Sequence, residues 1–139
     1  MSEADSVFDA WTSRDLEQMV AQLNVKTKPV DRHFLLMGIV KQAYKERDHP
    51  EMRELIHRVA QLHIKEFPRI KPALVRFLHA VPGVGTFELY AKLLTEEGRY
   101  DEAIAVCKKA IDFGVTERTK GGYPGRIERI KRKRDKARK

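Results

Sequence analysis

The chain of 139 residues has one cysteine, one tryptophan, few glycines and prolines, and no long apolar run. One cysteine forms no internal disulfide and supports no CxxC-type metal site, so a reducing compartment is the simplest expectation. No stretch approaches the roughly 18 to 20 consecutive apolar residues of a membrane-spanning helix. Met1-Ser2-Glu3-Ala4-Asp5 is acidic and leads into no apolar run, unlike a secretory signal. A cytoplasmic protein that contacts no membrane is expected. Runs that alternate apolar and polar residues with β-branched enrichment are also missing, which excludes an ordinary sheet.

Recognisable catalytic chemistry is missing as well. The histidines are His33, His49, His57, His63 and His79. None sits in HExxH, and His57 and His63 fall on different faces of one predicted helix, so no metal site is expected. Cys107 lies on a predicted buried helix face and reads as a core thiol rather than a nucleophile. Gly83-Val84-Gly85 precedes a helix, yet no strand leads into it and no Gly-Lys-Ser/Thr follows. It reads as a plain interhelical loop and not as a phosphate cradle. Glu54, Glu88, Glu96 and Glu97 occupy charged helix faces without forming an acid–base couple. No catalytic residue and no cofactor site is expected, and the chain does not read as an enzyme.

What is present is helical periodicity almost throughout. A helix is predicted from Ser13 to Leu23, with Thr12 or Ser13 as cap and Phe8 and Trp11 packing onto the body ahead of it. A second runs from Asp31 to Arg47. Its broad stripe of Phe34, Leu35, Leu36, Met37, Ile39, Val40, Ala43 and Tyr44 suits a central helix. The third runs from Pro50 to Glu66, capped by Asp48, burying Met52, Leu55, Ile56, Val59, Leu62 and His63. Pro68 is predicted to end it, and a short fourth helix to run from Pro72 to Ala80. The fifth opens at Thr86 and ends at Gly98. The sixth runs from Tyr100 to Phe113, with Gly114 in the left-handed position after its end. Gly121-Gly122-Tyr123-Pro124-Gly125 reads as a turn before a basic terminal helix. The expected fold is therefore all-α, built as stacked antiparallel hairpins of about six or seven helices.

Charge divides the chain unevenly. The formal net charge is +8. From Arg126 to Lys139 nine Lys and Arg face only Glu128 and Asp135, a net +7, which leaves +1 for the other 125 residues. On this basis the chain divides into a nearly neutral helical domain, 1–125, and a basic helix or tail, 126–139. Ile127, Ile130 and Ala137 give that tail a narrow apolar side, enough to dock its first turn or two. Lys131, Arg132, Lys133, Arg134 and Lys136 are expected to lie in water and to attract phosphates or an acidic surface. No aromatic follows Tyr123, so base stacking is not implied.

Between 86 and 115 the residues resemble a tetratricopeptide (TPR) repeat. Phe87, the pair Tyr90-Ala91, Leu94, Gly98, Tyr100, Ala103, Cys107 and Ala110 keep that pattern's spacing, and Val115 stands where proline is usual. The earlier pair over 31–66 keeps the large positions, Leu36, Ile39-Val40, Met52, Ile56 and Val59, but loses the small ones. It reads either as a degenerate repeat or as an ordinary amphipathic hairpin. From Phe87 onward the chain also resembles a C-terminal module of assorted uncharacterised bacterial proteins, with a Thr119-Lys120-Gly121-Gly122-Tyr123 turn and a charged helix. That likeness implies no activity.

The TPR resemblance implies a protein–protein interaction module or adaptor that offers the concave face of its first helices to a protein or peptide partner. It places Glu88, Lys92, Thr95 and Glu96 toward that groove. Repeats that grip a C-terminal carboxylate carry a basic residue at the first of these positions and asparagine at the second, and this chain departs at both. Self-association as a homodimer can complete so short a groove. The alternative is a nucleic-acid-associated protein that binds phosphates through its tail.

Overall fold

The computed structural model describes 3–81, 83–117 and 119–139, with side chains from residue 6 onward. Among these residues there are seven α-helices and no strand: α1 (Glu3–Ser13), α2 (Leu16–Ala21), α3 (Pro29–Lys45), α4 (Pro50–Leu78), α5 (Gly85–Glu96), α6 (Tyr100–Asp112) and α7 (Gly122–Ala137). The fold is all-α, as expected from the periodicity. By packing, the chain forms two units, Met1–Ala80 and Val81–Lys139. This is a division by contact, whereas the boundary at 125 is one of charge.

In the first unit α3 is central and packs on α1, α2 and most extensively on α4. Leu35, Leu36, Ile39, Val40 and Ala43 of α3 are all fully buried. Trp11 stacks on Phe34 with ring centroids 4.8 Å apart and donates from Nε1 to Asp31 Oδ1 at 3.2 Å. The expected helix from Ser13 to Leu23 is shortened to α2, and the segment ahead of it is a helix of its own, α1. Arg14 adopts φ 61°, which interrupts the chain, and Asp15 caps α2 by accepting from the Gln18 backbone N–H at 3.2 Å. Pro29, read as the end of a linker, opens α3, where a missing N–H costs nothing. His49, not Asp48, occupies the cap position of α4.

The largest departure is α4. Pro68 was expected to end one helix and Pro72 to start another, yet both lie inside a single helix of 29 residues. The two prolines are exposed and four apart, so they share the solvent face, where water can serve the carbonyls they leave without donors. On the other side the buried stripe runs unbroken through Ile56, Val59, Ala60, His63, Phe67, Ile70 and Leu74. Burial contributes about 1.5 to 3 kcal/mol for a large side chain, so Phe67, Ile70 and Leu74 together offset interior prolines costing roughly 3 kcal/mol each.

In the second unit α6 packs against both α5 and α7. α5 ends in a Schellman turn. The Arg99 N–H donates to Leu94 O at 2.8 Å and the Gly98 N–H to Thr95 O at 3.1 Å, with Gly98 at φ +74°. α6 ends the same way, through Val115 N–H to Ala110 O and Gly114 at φ +74°. Thr86, expected to cap α5, is buried one residue inside it, and Val84 takes the cap position without a side-chain bond. The glycine-rich turn after Lys120 is shorter than expected, because Gly122 already begins α7. Val81, Gly83 and Val84 are irregular, whereas Gly85, read as part of the loop, already begins α5; Pro82 lies outside the described residues.

Candidate functional site

Helices α5 and α6 pack together, and Ala91 of α5 and Ala103, Cys107 and Ala110 of α6 are small residues that are all fully buried. The Cys107 thiol is pushed up to about 11 by burial, against the lowering charges of Arg126 and Arg129. A thiol held protonated is no nucleophile.

The groove positions are occupied within the chain. Lys92 Nζ pairs with Glu88 Oε1 at 3.1 Å, one helical turn away. Arg126 of α7 reaches the same Glu88 oxygen through Nη2 at 3.5 Å. Arg126 also donates from Nε to Glu117 Oε1 at 2.7 Å, and its Nη2 contacts the same atom. Lys92, Glu88, Arg126 and Glu117 thus form one chain of alternating charges across α5, α7 and the segment after α6. Glu117 is nearly inaccessible to water. Burial pushes its carboxyl up, but hydrogen bonds from Arg126 and Thr119, with the charges of Arg126 and Arg129, outweigh burial and hold it below its ordinary value. Thr95 is half-buried and its hydroxyl donates to Ala91 O at 2.7 Å, while Glu96 is exposed. Of the expected groove set, two members are engaged in this ion chain and two stand further along the helix.

The tail is more ordered than its composition implied. Helix α7 runs to Ala137, seated by the buried Tyr123, Ile127 and Ile130. Its distal end is also tethered. Arg134 Nη1 and Arg138 Nη2 hold the two oxygens of Asp101, at the start of α6, at 3.0 and 3.1 Å. Their hydrogen bonds hold the exposed Asp101 carboxyl below its usual range. Arg134 is therefore not a free cation, and Lys131 faces Glu128 at 3.4 Å. Arg132, Lys133 and Lys136 remain exposed and have no carboxylate partner among the described residues. At 100° per residue these three fall within one arc, turned away from Tyr123, Ile127 and Ile130, and that arc holds no apolar side chain.

In the first unit two of the five histidines meet. His33 Nδ1 and His63 Nε2 are 2.9 Å apart, both rings being almost wholly buried. The sequence placed His63 on a buried face but gave no sign of its partner, because 30 residues separate the two. Among the described residues no group of three or more His, Cys, Asp or Glu could hold a metal ion. No helix among them is long and apolar enough to cross a membrane.

The class these observations define is an all-helical protein whose second unit is a small-residue hairpin with a third helix on it. In sequence the chain is 26% identical over 115 residues to an uncharacterised protein of Aquifex aeolicus (strain VF5). The alignment covers 82% of this chain and 52% of that protein, so the chain spans about half the length of the curated relative it matches. No family model matches the chain, and no solved structure does.

Proposed function

We propose that the chain is a non-enzymatic, TPR-like interaction module that takes a protein partner on the open face of α5. The observation that carries this reading is the α5–α6 hairpin. It combines buried Ala91 and Ala103 on its two helices, a left-handed Gly98 in the turn, and α7 packed on α6 with a polar outer face, as a terminal helix of such an array requires. Lys92, Thr95 and Glu96 are then the side chains a partner meets first, and the Glu88 to Arg126 link fixes the base of the face. A partner peptide would have to match a surface already neutralised by internal pairing, so shape and hydrogen bonding decide more than charge. The test is capture from nuclease-treated native lysate by the full chain and by a Lys92→Glu/Thr95→Arg variant. A protein retained by the first and lost by the second, with helicity unchanged, supports the reading. Equal retention by both variants, or capture that vanishes with nuclease, overturns it.

One observation favours a second reading, in which α7 binds the phosphates of nucleic acid. Arg132, Lys133 and Lys136 form a cationic face without apolar residues, and protein interfaces need an apolar centre whereas phosphate contacts do not.

A further inference from the structure

The first unit carries a cleft of about 770 Å³ between the segment that follows α2, the start of α3 and the middle of α4. That volume lies within the roughly 300 to 1,000 Å³ of small-molecule sites. Its apolar lining is aliphatic: Leu23 and Val25 from one side, Leu62 and Ile70 from the other, with no aromatic ring among the lining residues. One wall is the ion pair of Arg32 with Glu66, made by Nε to Oε1 and Nη2 to Oε2, each at 3.0 Å. Arg32 Nη1 donates in addition to Leu23 O. Three of the five Arg32 N–H donors are thereby engaged and the pair is neutral, so it shapes the cleft without charging it.

The charge comes from three other residues. Lys26, Lys65 and Arg69 line the same cleft, are exposed at its rim, and have no carboxylate partner among the described residues. Lys65 and Arg69 are one helical turn apart on α4, and Lys26 comes from the segment after α2. Thr27 lines the cleft too, and its hydroxyl is buried without a hydrogen-bond partner. A buried hydroxyl is ordinarily satisfied, and one beside a cationic opening is a donor for an incoming oxyanion.

We propose that this cleft binds a small anion with an aliphatic body, an alkyl phosphate or a fatty carboxylate. The head group sits among Lys26, Lys65 and Arg69, and the chain lies against Leu23, Val25, Leu62 and Ile70. Lining without aromatic rings disfavours a nucleotide base, which would seek a stacking partner. Three cations on a cleft whose one lining carboxylate, Glu66, is already paired with Arg32 disfavour a neutral lipid or alcohol. Every lining residue belongs to the first unit, so the proposal uses none of the residues on which the reading above rests.

The experiment is calorimetric titration of the full chain with octyl phosphate, octanoate, octanol and inorganic phosphate, repeated with Lys65→Ala/Arg69→Ala and with Thr27→Val. Both double-variant positions are exposed, so the unliganded melting temperature should hold. The expected result is binding of octyl phosphate or octanoate, whichever is tighter identifying the head group. Octanol and inorganic phosphate should each bind at least about tenfold more weakly, and the double variant should lose about tenfold or more. Thr27→Val should weaken the anion and leave octanol unchanged. A variant with Arg132→Gln and Lys133→Gln in α7 should bind as the natural chain does. No binding by either alkyl anion, equal binding by octanol, equal binding by inorganic phosphate, or undiminished binding by the double variant would each overturn the proposal.

Discussion

His33 Nδ1 and His63 Nε2 face each other at 2.9 Å inside the α3–α4 contact, ringed by Phe34 and Phe67. Two neutral imidazoles can satisfy this contact, one donating and the other accepting, and neither position tolerates a charge cheaply.

A pH dependence of stability follows. Burial lowers His33 to about 4, and burial, then the neighbouring His33 and the Arg32 charge, lowers His63 to about 3. The unfolded chain takes up these protons near 6.5 and the folded chain only below about 4. The stabilisation is therefore complete above about pH 7 and lost progressively as the pH falls from 6.5. A loss on the order of 2 kcal/mol for each histidine, about 4 kcal/mol for the pair, is expected by pH 5, before most carboxylates titrate. Thermal melting at pH 7.5, 6 and 5 measures it. A His33→Gln/His63→Gln variant should start less stable but show a flatter profile over that range, and an equally steep profile would place the titrating group elsewhere.

The Arg126 to Glu117 pair should be costly to break. Glu117→Gln removes the carboxylate that Arg126 contacts through both Nε and Nη2, leaving the guanidinium Glu88 at 3.5 Å and the Thr119 hydroxyl at 3.4 Å. Loss of one partner of a largely buried pair costs roughly 3 to 5 kcal/mol, and the residual Glu88 contact should hold this case near about 2 to 3 kcal/mol. Denaturant unfolding checks the value. A change within about 0.5 kcal/mol would mean the pair behaves as a surface contact.

The hairpin of α5 and α6 offers two independent probes. Gly98 has φ +74° and open space where a Cβ would stand, so Gly98→Ala should cost only the left-handed strain, about 1 to 2 kcal/mol. Ala103 is wholly buried, so Ala103→Leu should overpack its surroundings and cost about 1 to 3 kcal/mol. Both are read from denaturant midpoints, and unchanged stability for Ala103→Leu would mean the helix approach is loose.

Neutralising α7 decides the second functional reading. Deleting Lys131 to Lys139 changes the charge by −6, but it also removes the Arg134 and Arg138 tethers to Asp101. The cleaner variant is Arg132→Gln/Lys133→Gln/Lys136→Gln, which leaves the tethers and the buried Tyr123, Ile127 and Ile130 in place. If α7 binds nucleic acid, titration of labelled RNA or duplex should show weaker binding and a salt slope shallower by about 2 to 3. An unchanged slope removes α7 as the site.

The legible parts of the fold were those governed by local chemistry. The positions of α3, α5 and α6, the turn at Gly98 and the cap at Gly114 follow from periodicity and from glycine. Pro68 and Pro72 misled because proline's cost is local while the buried stripe that outweighs it belongs to the tertiary structure. Helix α1 was missed because its buried residues, Val7 and Ala10, make too short a pattern to stand out. The Glu88 to Arg126 contact and the His33 to His63 pair were illegible for another reason. Each joins residues 30 or more positions apart, and no spacing rule reaches that far.

Cys107 has one more consequence. It is the chain's only thiol, it is sealed within the second unit, and it is held protonated. A labelling reagent can reach it only when that unit opens. The rate of thiol modification therefore times the opening of the packing around α6, without any mutation or added probe.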